Sequence, residues 1–436
     1  MANQNLGNAK TAKNDEFYTQ FSDVEKEMNA YLEYDENVFR DKIILLPCDD
    51  PNQPGSPRCI GADSGGPTSL EERIVTLDVI RGVAILGILV MNALSFGLDQ
   101  AAYFNVPAGG TNNSVDWIIG VIAMVFFDQK MMALFSLLFG VGVVIFAERA
   151  ASKSRPPTGL SLWRFALLGM AGLVHISIWD GDVLFLYALC APVVLLVRRL
   201  PVLLLGSLGV VLALVGAITA PLFQATAGGT PDGLKEFWFT GYEGFSAAAE
   251  GWFILNAATR ALGLMLLGVA LYRMGIVQGH RDDTFYRRLA IWGLGVGTVI
   301  TAMGIVWRVV TDWSADLAIT GTIPTGVGTI PMAFGYMAVV IIWSRSGSSR
   351  VAWFARAGRM ALTNYLTQTI VGLVTLRWLF GDVDLTRTMI AVWIVGVWIL
   401  QLWWSTKWLA HFRYGFFEWG WRCATYRRRQ PLRRVA

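Results

Sequence analysis

Residues 74–97, IVTLDVIRGVAILGILVMNALSFG, form an apolar run long enough to cross a lipid bilayer as one helix. About 20 apolar residues in a helix span a hydrocarbon core of roughly 30 Å. Further runs of the same character follow with short polar breaks, near residues 128–149, 160–178, 182–198, 201–223, 251–272, 286–309, 320–344, 360–380 and 385–408. The sequence therefore predicts an all-α polytopic membrane helix bundle with about ten transmembrane helices.

The composition supports a membrane protein. Of the 436 residues, 54% are hydrophobic and 16% are charged, whereas soluble domains carry roughly 25% charged residues. The isoelectric point is near 8.9, but the basic residues form short clusters between apolar runs, so no nucleic-acid partner is predicted. The four cysteines lack the close paired spacing of a disulfide framework or a zinc site, and we predict no metal. Motifs for nucleotide or redox cofactors are also absent from the sequence, so no bound cofactor is predicted.

The charges of the polar breaks predict the orientation of the bundle. Alternate breaks contain clusters of arginine, whereas residues 98–114, 179–181, 224–250, 310–319 and 381–384 carry Asp and Glu with one basic residue, Lys235. Because positive charge marks the cytoplasmic side, we expect both termini in the cytoplasm. Counting residues 115–127 as a further crossing would put the Arg149 break on the wrong side. We therefore expect a re-entrant or interfacial helix there.

Three regions follow from these patterns. Residues 1–70 form an acidic cytoplasmic extension in which apolar spacing suggests one amphipathic helix, or a partly disordered tail, before a Pro/Gly-rich linker over residues 47–67. Residues 71–426 form the transmembrane domain. Residues 427–436 form a basic tail that would be attracted to anionic lipid of the inner leaflet. In a scaffold protein, the N-terminal extension would recruit a cytoplasmic partner.

The segment HISIWDGDVLFLYAL, residues 175–189, offers a candidate catalytic site. His175 ends one predicted span, while Asp180 and Asp182 bracket a glycine before the next. A histidine beside carboxylates can act as a general base that activates a hydroxyl or an amine. The alternative is structural, with Asp182 capping a helix, Asp180 in a tight turn and the histidine as a hydrogen-bond donor.

The first span carries three polar residues that are costly in hydrocarbon and are candidates for substrate binding. Asp78 and Arg81 lie three residues apart on one helix face and can pair. Asn92 follows eleven residues after Arg81, close to three full turns, and continues the same stripe. The structural alternative is a neutralising pair that holds this helix against its neighbours.

Other intramembrane polar residues suggest contacts with a ligand or with another helix. Arg260, halfway along the sixth span, has no acidic residue within a turn and is a candidate contact for an anion. Asn364 and Gln368 lie one turn apart, where they can bind a ligand or hydrogen-bond another helix. We expect Lys130, just inside the outer boundary, to extend its ammonium group toward water.

Six separated blocks of the sequence carry a family resemblance. They are RIVTLDVIRGVAILGILVMN, FDQKMMALFSLLFGVG, HISIWDGDVLFLYA, MLLGVALYRMG, GRMALTNYLTQTIV and FRYGFFEWGWRCATYR. Together they resemble the YeiB-type bacterial inner-membrane family, known as domain of unknown function 418. The resemblance covers residues 73–426, and the family's usual Gly-Pro-Leu-Glu near the end reads Gly-Phe-Phe-Glu at residues 415–418.

The first of these blocks is also similar to the opening of membrane acyltransferases of the heparan-alpha-glucosaminide acetyltransferase and acyltransferase-3 types. The matching residues are Leu77, Asp78, Arg81 and Gly82. In the acyltransferase-3 proteins a histidine stands toward the end of this helix, where this chain has an asparagine. The resemblance implies transfer of an acyl group from cytoplasmic acyl-CoA to an extracytoplasmic or membrane acceptor, with catalysis by a histidine elsewhere. The alternatives are a transporter of a small polar or anionic solute and a non-catalytic membrane scaffold.

Overall fold

The computed structural model describes residues 75–152, 156–227, 233–240 and 247–434. The expected amphipathic helix and linker of the N-terminal extension lie outside these residues. Regular secondary structure in the described ranges is helical, apart from one isolated bridge between Phe412 and Arg433. An all-α fold is therefore confirmed.

Fifteen α-helices are numbered here in chain order, and a π-helix over Leu373–Leu379 continues α13. They are α1 Val75–Gly97, α2 Ala101–Phe104, α3 Ser114–Phe126, α4 Lys130–Ser152, α5 Pro157–Ile176, α6 Leu184–Val197, α7 Val202–Ala227, α8 Gly233–Thr240, α9 Ala247–Arg273, α10 Asp283–Val310, α11 Ile323–Ser344, α12 Ser349–Arg359, α13 Ala361–Gly372, α14 Arg387–His411 and α15 Phe416–Tyr426.

Eight helical segments of the described chain are long and apolar enough to cross a membrane, whereas the sequence predicted about ten. The two remaining predicted spans coincide with shorter helices. One is α6, with 14 residues, and the other is α13, with 12 residues before the π-helix begins. The stretch expected to be re-entrant or interfacial is the helix α3, which a turn at Gln129, with φ of 61°, joins to α4.

The long helices divide into an inner and an outer set. Of the 18 most apolar consecutive residues of α1, 72% are buried within the protein, whereas the same share for α7 is 22%. Outer helices turn large apolar side chains away from the protein, as with Leu203 on α7 and Trp292 on α10. A soluble protein rarely exposes so much apolar surface, so these faces fit contact with lipid.

The inner helix α1 crosses α12 at backbone contact distance. A Cβ atom added at Gly82 would lie 2.0 Å from the carbonyl oxygen of Phe354, and one added at Gly358 would lie 1.9 Å from that of Asp78. Neither position can hold a side chain without moving one helix. Small residues of this kind allow close helix packing where the hydrophobic effect gives little drive.

The C-terminal helix α15 packs against the N-terminus of α13 through a carboxylate. Glu418 accepts a hydrogen bond of 3.0 Å from the backbone N–H of Thr363 and another from its hydroxyl. Burial raises the pKa of Glu418 above its usual range, although these hydrogen bonds oppose the rise. Gly415 directly precedes the first residue of α15, so this helix begins at the position where the sequence departs from Gly-Pro-Leu-Glu.

Candidate functional site

The end of α5 and the start of α6 bring His175 and Asp182 together. His175 lies in the last turn of α5, and its Nδ1 is 2.7 Å from Oδ1 of Asp182. The second carboxylate oxygen, Oδ2, accepts a hydrogen bond of 2.9 Å from the backbone N–H of Phe185 in the first turn of α6. Asp182 therefore caps a helix and contacts the imidazole at once, so both interpretations of this residue hold.

The other imidazole nitrogen contacts a hydroxyl from a distant part of the chain. Nε2 of His175 is 3.0 Å from Oγ1 of Thr369 on α13. An ionised carboxylate can only accept hydrogen bonds, so Nδ1 of a neutral imidazole carries the proton toward Asp182. Nε2 is then the acceptor, and the Thr369 hydroxyl donates to it. We call Asp182, His175 and Thr369 the hydroxyl–imidazole chain.

Aromatic rings surround this chain and keep it away from water. The His175 ring lies 5.2 Å from that of Tyr365 and 5.9 Å from that of Trp179. Trp179 in turn contacts Phe96 near the end of α1, at 4.9 Å. The imidazole is 4% exposed and Thr369 is 1% exposed. A hydrogen bond in such a site is electrostatically stronger than the same bond in water.

Of the two aspartates predicted beside the histidine, the structure brings only one to it. Asp180 is exposed in the turn between α5 and α6, while the side chain of Asp182 is fully buried. The hydroxyl–imidazole chain thus has a single carboxylate. Sequence reasoning missed Thr369, since nothing local to that residue connects it with a histidine 194 positions away.

The polar stripe of α1 begins with the expected ion pair. Arg81 donates to Asp78 across 3.0 Å, and the carboxylate is the more buried partner. Asn92 is half-buried farther along the helix, and its backbone carbonyl accepts a hydrogen bond from Ser95. The pair and the hydroxyl–imidazole chain lie toward opposite ends of α1, because Trp179 contacts this helix at Phe96.

Asn364 and Gln368 bind neighbouring helices. The Asn364 amide donates to the hydroxyl of Ser405 at 3.1 Å, and the Gln368 amide donates to the side-chain carbonyl of Gln401 at 2.9 Å. Gln401 in turn donates to the backbone carbonyl of Asn364 at 3.0 Å. These four residues, the α13–α14 amide network, match the helix-to-helix interpretation of the sequence.

Lys130 does not extend to water as expected. Its side chain is fully buried, and Nζ donates to the backbone carbonyl of Met124 at 2.8 Å. The prediction of a snorkelling lysine was wrong because the turn before α4 points this residue into the protein, where other helices cover it. Packing between distant segments decides this placement, and position along the span does not reveal it.

Arg260 lies close to Lys130, away from the hydroxyl–imidazole chain. Its guanidinium donates to the side-chain oxygens of Gln129, at 2.8 Å, and Asn256, at 2.9 Å. Arg308, near the end of α10, is also buried and repels Lys130 electrostatically. We call Lys130, Arg260 and Arg308 the buried cation cluster. Sequence reasoning missed Arg308, although a charged residue inside a predicted span was a usable signal.

Comparison with known proteins gives relatives for most of the chain. Residues 271–428 match the family model described as "Protein of unknown function (DUF418)". The Escherichia coli (strain K12) protein "Uncharacterized protein YeiB" is 33% identical over 392 residues, which cover 83% of this chain and 98% of that protein. The Bacillus subtilis (strain 168) protein "Uncharacterized protein YxaH" is 31% identical over 419 residues, covering 84% of this chain and 97% of that protein.

The N-terminal extension has a separate resemblance. Residues 5–56 match the family model described as "Adenine-specific methyltransferase EcoRI". The Escherichia coli protein "Type II methyltransferase M.EcoRI" is 47% identical over 49 residues, which cover 11% of this chain and 14% of that protein. No solved structure matches the chain. Because the YeiB match extends over nearly the whole of that relative, the chain belongs to the YeiB-like DUF418 family.

Proposed function

We propose that this protein is a membrane acyltransferase that moves an acyl group from cytoplasmic acyl-CoA to an extracytoplasmic or membrane acceptor. The observation that carries the proposal is the hydroxyl–imidazole chain. A hydroxyl, a histidine and a carboxylate in series, at 3.0 Å and 2.7 Å, have the arrangement that activates a nucleophile for acyl transfer. The similarity of the first helix to membrane acyltransferases, at Asp78 and Arg81, supports the same reaction.

The two steps of the proposed transfer use only these three residues, the thioester and the acceptor. Nε2 of His175 takes the Thr369 proton as Oγ1 attacks the thioester carbonyl, the carbon–sulfur bond breaks, and the imidazolium returns a proton to the departing thiolate. An acceptor hydroxyl or amine then gives its proton to Nε2 and attacks the carbonyl of the new ester. The bond between the acyl carbon and Oγ1 breaks, and the imidazolium returns the proton to Oγ1, which regenerates the Thr369 hydroxyl. Asp182 stabilises the imidazolium and fixes its orientation throughout.

The proposed topology has about ten crossings of a bacterial inner membrane, with both termini in the cytoplasm. The arginine-rich breaks and the basic tail would then contact the anionic inner leaflet. Eighteen residues separate Asp78 from Phe96, which corresponds to about 27 Å along a helix. A donor that binds near Asp78 and Arg81 would have to extend its thioester arm across much of the membrane to reach Thr369.

The cytoplasmic end of the proposed path is positively charged, as an anionic CoA requires. Arg164 is half-buried against Trp421, whose ring lies 3.9 Å from its guanidinium carbon. Arg81 and Arg422 both lie within electrostatic range of Arg164. Their summed charge would raise the local concentration of a polyphosphate donor.

The test uses the purified protein in lipid nanodiscs with labelled acyl-CoA of several chain lengths. We expect a covalent acyl adduct on Thr369 and slow thioester hydrolysis, both reduced at least about 100-fold in His175→Ala, since general bases contribute that much or more. Thr369→Val should abolish the adduct. His280→Ala is the matched control, because this histidine lies between α9 and α10, outside the chain of hydrogen bonds. An adduct that survives in His175→Ala, or no reaction with any donor, would contradict the proposal.

A further inference from the structure

The buried cation cluster gathers three positive side chains from separate parts of the sequence. Lys130 is the first residue of α4, Arg260 lies halfway along α9, and Arg308 lies near the end of α10. Their exposed fractions are 0%, 9% and 4%. Arg260 and Arg308 repel Lys130, so burial and mutual repulsion both oppose this arrangement.

No carboxylate forms an ion pair with these residues in the described part of the chain. The acidic residue within electrostatic range of all three is Asp128, and its Oδ1 accepts a hydrogen bond from the Gln129 amide. The partners of the cations are neutral oxygens and, for Arg308, the rings of Trp238 and Trp313, whose centroids lie 5.5 Å and 5.8 Å from its guanidinium carbon. Lys130 and Arg308 donate to backbone carbonyls, and Arg260 donates to two amides.

The cluster also has more donors than acceptors. The Nε atoms of Arg260 and Arg308 are both buried without a hydrogen-bond partner. Arg387 is also a buried arginine, but its Nε has a hydrogen-bond partner. Its Nε donates to the hydroxyl of Thr111, its terminal nitrogen donates to two backbone carbonyls, and Asp116 attracts it.

Two glycines lie directly against the guanidinium groups. A Cβ atom added at Gly321 would lie 3.0 Å from Nε of Arg308, and one added at Gly326 would lie 3.0 Å from a terminal nitrogen of Arg260. A side chain at Gly321 would crowd Nε of Arg308, which has no partner, and one at Gly326 would crowd a nitrogen of Arg260 that donates to Asn256. Both guanidinium groups therefore depend on the absence of a side chain at these two positions.

We propose that the buried cation cluster is a binding site for a phosphate group. Three cations that approach from different helices suit an anion with three or four oxygens better than a carboxylate with two. Free inorganic phosphate and the headgroup phosphate of an anionic lipid share this chemistry. The bound anion adds negative charge to that of Asp128, which is one carboxylate against three cations, and the site does not depend on acyl transfer.

The experiment measures thermal unfolding of the full-length protein in phosphatidylcholine nanodiscs. One arm adds inorganic phosphate against sodium chloride of equal ionic strength, and the other replaces part of the lipid with phosphatidylglycerol. We expect one of these additions to raise the melting temperature by several degrees. A rise with inorganic phosphate identifies a free anion, and a rise with phosphatidylglycerol alone identifies a lipid headgroup.

Substitutions within the buried cation cluster test whether the phosphate group binds there. In Arg308→Gln and Arg260→Gln we expect the apparent affinity for the stabilising addition to fall at least tenfold. Without that addition, both variants should melt at or above the wild-type temperature, because each removes one of three like charges. Arg387→Gln is the matched control, since this buried arginine already has acceptors, and it should keep the wild-type response.

Two results would overturn the site. The first is a wild-type protein that neither phosphate nor phosphatidylglycerol stabilises beyond its control. The second is an unchanged response in both cluster variants. Since neither measurement uses acyl-CoA, and the hydroxyl–imidazole chain is intact in every variant, failure of the phosphate site is distinguishable from failure of the acyltransferase proposal.

Discussion

The hydroxyl–imidazole chain and the buried cation cluster differ in whether their buried polar atoms have hydrogen-bond partners. In the first, both nitrogens of His175 and both carboxylate oxygens of Asp182 have partners within the protein. In the second, three buried cations donate to separate neutral oxygens, and two Nε atoms have no acceptor. Our two proposals follow this difference: the site whose groups are all paired would carry out the chemistry, and the site with surplus donors would bind an anion.

The largest expected effect comes from breaking the complete site at its carboxylate. Asp182→Asn retains the size of the side chain but can present an amide N–H to Nδ1, which would turn the proton of the imidazole toward Thr369. Nε2 could then no longer accept the hydroxyl proton. We expect the rate of acyl-adduct formation to fall about 10³-fold, measured by mass spectrometry of single turnovers.

Asp180→Asn is the control for this substitution. Asp180 lies two residues away in the same turn but is exposed, so its replacement should change the rate less than about threefold, as for other surface substitutions. Equal losses in the two variants would mean that the turn, rather than the carboxylate at the imidazole, is required.

A smaller effect sharpens the comparison by testing a structural network, in which most polar groups are paired but Oε1 of Gln368 has no partner. Gln401→Leu removes the acceptor of Gln368 and the donor to Asn364 within the α13–α14 amide network. We expect the free energy of unfolding to fall by about 1–3 kcal/mol, because buried polar groups lose their partners. The measurement is reversible unfolding in mixed micelles.

This substitution should leave two other readouts unchanged, namely the rate of adduct formation and the stabilisation by phosphate or phosphatidylglycerol. Gln430→Leu, at a half-buried position near the C-terminus outside the network, provides the matched control for stability. A Gln401→Leu protein as stable as this control would show that the network contributes no net stability.

The smallest effect concerns Glu418, a half-buried carboxylate that accepts hydrogen bonds from Thr363. Its raised pKa favours the protonated form in the folded state. The folded protein then binds more protons than the unfolded chain, so this group's contribution to stability is present at low pH and is lost as pH rises through the folded pKa. Between about pH 4 and 7 we expect Glu418→Gln to flatten this decline, by about 1 kcal/mol or less. Unfolding at several pH values measures it, and a steeper decline in the variant would contradict the sign.

The sequence could predict what depends on neighbours along the chain. The first span was expected over residues 74–97 and is the helix Val75–Gly97. His175 and Asp182 could be connected because they flank one turn. Thr369 could not, since its contact with the imidazole arises from packing of α13 against α5.

Packing between distant segments also explains why the surroundings of Lys130 and Arg260 could not be predicted from the sequence. Lys130 was assigned to the outer boundary by its place in the sequence, but burial depends on which helices cover it. Arg260 was identified as a candidate anion contact because no acidic residue lies nearby in the sequence. Its association with Lys130 and Arg308 is a property of three helices together, which no local pattern encodes.

The crossing of α1 and α12 links substitutions at two distant positions. A side chain at Gly82 or at Gly358 would need space that the backbone of the other helix occupies. Neither glycine can therefore be replaced by a larger residue while the two helices keep this contact. Among related sequences, we therefore expect changes at these two positions to occur together. Any lineage that loses one of these glycines would have to move the end of α1 that carries Asp78 and Arg81, and would shift that ion pair with it.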